Sequence, residues 1–141
     1  MILPDVNVLI YAFRPDSDGH DRYRAWLESV VNSPAAYGMS PQVLSAVVRI
    51  ATNPRIYNHP STLESVLDFA GVLLSQPNCS VIHPGPRHWE IFSAVALQCR
   101  AAGNLVQDAW FAALAIESGS EWITTDHDYA RFQGLRWRAP F

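Results

Sequence analysis

Very short apolar runs alternate in this chain with much longer segments of helical periodicity, and that alternation limits the folds open to it. The runs at 1–3, 36–39, 81–82 and 122–125 are separated by stretches that each carry one or two helix patterns. Strands joined by connections of a dozen residues or more pair in parallel rather than as hairpins. A parallel sheet is buried on both faces and needs helices to cover each of them. The expected fold is therefore α/β, a three-layer α/β/α sandwich around a central, mainly parallel sheet. The 141 residues contain no internal repeat, linker or low-complexity tract, and one domain spanning 1–141 is expected.

Val6, Leu9, Ile10 and Phe13 recur at helical spacing directly after Asp5, so Asp5 stands at a strand-to-helix junction. Pro4 lacks a backbone donor, which argues that the first strand is short. Residues 20–31 read as an amphipathic helix with Tyr23, Trp26, Leu27 and Val30 on one face. Ser40 followed by Pro41 is a cap and first-turn signal for a helix whose apolar series runs to Ile50 and stops at Asn53-Pro54. Further helices are expected from a Ser61 cap to about Ser75, over 88–101 with Gly103 and Asn104 ending it, and over 105–117 before Gly119.

A chain that is 49% hydrophobic and 16% charged is not disordered, and a net charge of -3 excludes a strongly basic nucleic-acid binder. Any contact with nucleic acid must be local. Cys79 and Cys99 share no metal-ligand spacing and read as ordinary buried thiols. The first residues are apolar but interrupted by Asp5 and Asn7, with no basic leader and too little length to cross a bilayer, so a cytoplasmic protein with no membrane partner is expected. Trp26, Trp89 and Trp110 occupy helical positions that suit packing rather than base stacking.

In open α/β sheets ligands bind outside the carboxyl ends of the strands. Asp5 and Asp126 both follow expected strands there, in Leu-Pro-Asp and Thr-Thr-Asp, and Asp108 stands near the start of an otherwise apolar helix. Taken singly, each has a structural explanation as a helix cap or a partner of the helix dipole. Taken together they form an acidic cluster that a cation would neutralise. Oxygen ligands of this kind select Mg²⁺ or Mn²⁺, which hold phosphate oxygens in their remaining positions. Phosphodiester hydrolysis is the chemistry this predicts.

Three segments carry a family resemblance: Asp5-Val-Asn7-Val-Leu after the first strand, Asn104-Leu-Val-Gln-Asp108 opening a late helix, and Thr124-Thr125-Asp126-His-Asp128 after a late strand. With Val47 to Pro54 and the closing Phe132 to Trp137, they resemble PIN-domain toxins of the VapC type across essentially the whole chain. The resemblance implies the toxin of a type II toxin–antitoxin pair, a Mg²⁺- or Mn²⁺-dependent endoribonuclease that cleaves structured RNA such as tRNA or rRNA, forms a homodimer and is silenced by a cognate antitoxin. It implies Asp5, Asp108 and Asp126 as metal ligands, Asp128 as an outer catalytic carboxylate, and Asn7 and Thr125 as orienting groups. Family members usually carry a Glu in the helix after the second strand, where this chain has Ser45 and Ala46. Asp128, or less readily Glu90, would have to substitute if a second ion is held.

Arg14, Arg22, Arg24, Arg49, Arg55 and Arg100 are the cations open to RNA; most read as solvated surface charges, and Arg49 is the one expected at the active-site wall. His127 reads as an exposed loop histidine rather than a proton shuttle. Two other readings compete. A catalytically inactive PIN-like domain would bind RNA or a protein partner without cutting. An aspartyl-phosphate hydrolase would use Asp5 as nucleophile, but it wants a second acid two residues on, where Asn7 stands.

Overall fold

The computed structural model describes residues 1–141. The elements in chain order are β1 (Ile2–Pro4), α1 (Val6–Phe13), α2 (His20–Asn32), β2 (Tyr37–Met39), α3 (Pro41–Ala51), α4 (Leu63–Ser75), β3 (Cys79–Val81), α5 (His88–Gln98), α6 (Asn104–Ser118), β4 (Glu121–Ile123), a 3₁₀ helix (His127–Arg131) and β5 (Trp137–Arg138). All strand pairs are parallel, in the order β3-β2-β1-β4-β5. β1 is thus the central strand. Pro4 is its last residue, and only Ile2 is paired with β2, so the missing proline donor falls where that ladder has already opened.

From β1 the chain steps outward through β2 to β3, then crosses to β4 on the other side of β1 and steps out to β5. Right-handed crossovers in opposite directions put their helices on opposite faces, so α1 to α4 cover one face and α5 and α6 the other. The strand order reverses between β1 and β4, and the carboxyl ends of those two strands flank the crevice in which such sheets hold ligands. No helix is long and apolar enough to cross a membrane.

The core explains why these segments settle as they do. Leu3, Tyr37, Met39, Trp122 and Ile123 are buried in the strands, and Leu9, Val43, Val47 and Phe111 pack on them from the helices. α6 buries Ala109 and an unbroken run from Phe111 to Ala115, and its alanines let the backbone approach the sheet closely. Ser40 caps α3 through Val43 N at 3.4 Å with Pro41 at the first position, as its sequence predicts.

Several boundaries differ from the expectation. α4 is capped by Thr62, whose side chain accepts from Ser65 N, while Ser61 is engaged by Arg14 instead. α5 stops at Gln98 because Arg100 turns into the left-handed region at φ 52°, and Asn104 starts α6 rather than ending α5. β5 has only two residues and its sequence carries no strand pattern. Cys79 and Cys99 are free and only partly buried.

Candidate functional site

Register decides where the first acid lands. Ile2, Leu3 and Pro4 pair with Glu121, Trp122 and Ile123, so the next residues along, Asp5 and Thr124, stand side by side at the sheet's carboxyl edge. Asp5 N donates to Ile123 O at 2.9 Å, extending the ladder by one bond. The Asp5 carboxylate caps α1 through Val6 N at 2.7 Å on Oδ1 and accepts the Thr124 hydroxyl at 2.6 Å on Oδ2. Only 5% of Asp5 is exposed.

Thr124 holds the edge together. Besides donating to Asp5, its Oγ1 accepts from Asp126 N at 3.0 Å and from Asn7 Nδ2 at 3.5 Å. One donor and two acceptor sites are all that a hydroxyl has, and this fully buried one uses them on three residues of the site. The hydrogen bonds to the acids expected of Thr125 are made by Thr124 instead, and the Thr125 side chain makes none. No local signal marks Thr124, since Trp122, Ile123 and Thr124 are all fully buried and alternation does not set one of them apart.

Asp108 lies one turn inside α6, which has no acid in its first turn, so a helix-dipole role does not account for it. It accepts from Tyr129 Oη at 3.4 Å. Tyr129 is buried, comes from the 3₁₀ helix that follows Asp126, and escaped the sequence reading because an aromatic there looks like core. Asp126 does act as a cap, accepting Asp128 N at 2.9 Å, while still lining the same cleft as Asp5 and Asp108.

Burial raises the Asp5 carboxyl from 3.8 to about 7, against the lowering effect of its two hydrogen bonds, with Asp108 and Asp126 adding repulsion. Burial and then the neighbouring charge of Asp126 raise Asp108 to about 6. Desolvation first, and then the three acids, push the Tyr129 phenol far up, which keeps it a donor. The site is an acidic cleft carrying more negative charge than its surroundings readily tolerate.

The cleft has a volume of about 710 Å³. Asn7 and Arg49 line it with the three aspartates, and so do Ser45 and Ala46, the positions where a further acid would be expected. Neither proposed substitute reaches it. Asp128 lies outside the cleft, beside Arg131 at 3.6 Å, and affects Asp108 only through space; Glu90 sits on α5 beside Arg87 at 3.9 Å. His127 is exposed with its ring edge-on to Trp137, centroids 5.7 Å apart. Arg14 is not a solvated surface charge: it is 5% exposed, pairs with Asp16 at 2.7 Å and stacks on the Tyr57 ring at 3.5 Å.

No three acidic, histidine or cysteine side chains come close enough to enclose a cation by themselves. The donors present nevertheless fit a hard divalent ion that keeps several waters: two carboxyls pushed up by burial and mutual repulsion, and a buried Asn7 Oδ1 with no hydrogen-bond partner. Asp5, Asp108 and Asp126 are the acids that would hold it, with waters completing the shell.

Comparison with known proteins follows the same lines. The PIN domain family model matches residues 2–135. The chain is 38% identical over 140 residues to the VapC ribonuclease Mb2897 of Mycobacterium bovis, covering 99% of this chain and 95% of that protein. It is 34% identical over 140 residues to ribonuclease VapC33 of Mycobacterium tuberculosis, covering 99% and 98%. Among solved structures, VapBC-1 from nontypeable Haemophilus influenzae superposes with a TM-score of 0.71 at 19% identity, covering 99% of this chain and 98% of that one. The M. tuberculosis VapC20, described as a sarcin-ricin loop cleaving toxin, superposes with a TM-score of 0.66 at 16% identity, covering 96% and 99%.

Proposed function

Because the chain belongs to the PIN-domain family, and its curated relatives are VapC ribonucleases over nearly their full length, we propose that it is a divalent-metal-dependent endoribonuclease acting as the toxin of a toxin–antitoxin pair. The observation that carries this reading is the buried Asp5, tied by Thr124 to Asp126 and sharing one cleft with Asp108. Asp5, Asp108 and Asp126 hold Mg²⁺ or Mn²⁺, which supplies Lewis acidity toward phosphate oxygens and water. Asn7 and Thr124 orient the acids, and Tyr129 keeps Asp108 in place through its hydroxyl. Arg49 takes a phosphate of the RNA strand. The substrate is a structured RNA of the tRNA or rRNA class. A cognate antitoxin covers the cleft, and exposed apolar side chains, Leu63, Leu67 and Val72 on α4 and Trp89 and Leu97 on α5, serve a homodimer.

The non-acidic wall at Ser45 and Ala46 favours a second reading, in which the domain binds RNA or a protein without cutting it. Incubating purified protein with total tRNA and rRNA separates the two. Discrete products with Mg²⁺ or Mn²⁺, lost on chelation and in an Asp5→Asn variant purified identically, are expected of the nuclease. Binding of RNA without cleavage by the folded, antitoxin-free protein would overturn it in favour of the binding domain.

A further inference from the structure

Apart from the aspartates, the polar lining of the cleft is almost uncharged. α3 supplies Gln42 and Ser45, α6 supplies Asn104 and Gln107, and Arg49 is the only cation. Gln42 alone among the amides on these two helices is held by a second side chain. Trp110 Nε1, on α6, donates to its Oε1 at 2.7 Å across to the first turn of α3. An indole N–H has no acceptor capacity, so the amide must turn its oxygen toward Trp110. Its NH₂ group is thereby fixed on the other side, and the protein provides no acceptor for it. The indole is itself immobilised by the ring of His88, centroids 4.1 Å apart, and by Phe92 at 5.2 Å. His88 is buried and anchored to Trp110 O at 2.9 Å. A glutamine serving only to solvate an indole needs no such backing on an exposed helix turn.

We propose that Gln42 is a pre-oriented hydrogen-bond donor to the RNA strand in the cleft, with Trp110 as its positioning residue. The proposal rests on the ribonuclease reading. Holding the amide in advance removes the ordering cost that a free side chain would incur on binding. The partner is an acceptor of an unpaired nucleotide, either a base carbonyl or ring nitrogen or a phosphate oxygen. With a single arginine in the cleft there is little to grip phosphates, which favours the base edge.

The test measures binding of labelled single-stranded U, C, A and G homopolymers by fluorescence anisotropy, in an Asp5→Asn background that does not cut. Gln42→Met keeps the side-chain length, adds no charge and removes the donor together with the acceptor for Trp110; Gln42→Ala removes the side chain as well. Each is expected to weaken binding about 3- to 10-fold. Loss confined to one or two homopolymers assigns the acceptor to a base, and equal loss on all four assigns it to phosphate. Trp110→Phe keeps the ring packing and is expected to weaken binding only while Gln42 is present; equal loss in the Gln42→Ala background would overturn the positioning role. Unchanged binding by Gln42 variants with unchanged melting temperatures would overturn the proposal while leaving the ribonuclease reading intact. Failure of the Asp5→Asn parent to bind any of the four homopolymers would overturn the proposal, whereas the ribonuclease reading itself falls only if the wild type shows no metal-dependent cleavage.

Discussion

A carboxyl held near 7 in the folded chain and ionising at 3.8 when unfolded makes stability depend on pH in a definite sense. Between those values folded Asp5 keeps a proton that the unfolded chain has lost, so its contribution is fully present below 3.8 and is lost as pH rises through about 7. Asp5→Asn removes that liability and still caps α1 through its one amide oxygen, at the cost of the bond from the Thr124 hydroxyl, a loss that does not vary with pH. In metal-free buffer the melting temperature of the variant should therefore rise relative to that of the wild type from pH 4 to pH 7, by on the order of 10 °C, and the difference should then stay level. A relative fall over that range would contradict the assignment. Thr124→Val deletes the hydroxyl that lowers the Asp5 value and joins Asp5 to Asp126. It should cut Mn²⁺-dependent cleavage by about 10–100-fold, with the ionisation governing metal binding moved to higher pH. The sequence pointed to Asp5, Asp108 and Asp126 because each stands where a strand or helix begins or ends. It missed Thr124 and Tyr129 because a buried hydroxyl is indistinguishable from core until its partners are known.

The elements are joined by a few side chains that no periodicity announces. Arg14 follows α1 directly and ties that end to the connection between α3 and α4, donating to Ser61 Oγ at 2.9 Å and His59 O at 3.1 Å while stacking on Tyr57, itself part of the cleft wall. The side chain is buried and four of its five donors are used, on Asp16, Ser61 and His59, so truncation loses packing as well as charge. Arg14→Ala should destabilise the protein by about 2–3 kcal/mol and speed amide exchange over residues 53–62 more than in β1 and β4. Uniform exchange across the fold would mean that Arg14 supports no particular segment. Helix starts at Ser40 and Gly/Pro breaks were legible because capping is local chemistry. The shift of the α4 cap from Ser61 to Thr62 was not, since Arg14, far away in sequence, claims Ser61.

Over the whole molecule, one parallel sheet brings acids from residues 5, 108 and 126 into one cleft and leaves their repulsion unrelieved. A ligand that binds only the folded state stabilises it by mass action. Mn²⁺ or Mg²⁺ at about 100 times its dissociation constant should add about 2.7 kcal/mol of stability, read as a rise in melting temperature that chelator reverses. The rise should be larger at pH 8 than at pH 5, because protons compete for Asp5 and Asp108 below about 7 and about 6. No rise at either pH in a protein that still binds RNA would favour the binding-only reading.

By itself the sequence determined the class of fold, its parallel sheet and the three aspartates. These follow from periodicity, crossover length and residue chemistry, which act over a few residues at a time. Tertiary structure alone decided that β1 and β4 are neighbours and that Thr124 rather than Thr125 meets Asp5. It also decided that Asp128 falls outside the cleft and that Trp110 reaches Gln42. Each of those depends on strand order and register, and a shift of one residue in register would turn every side chain to the opposite face.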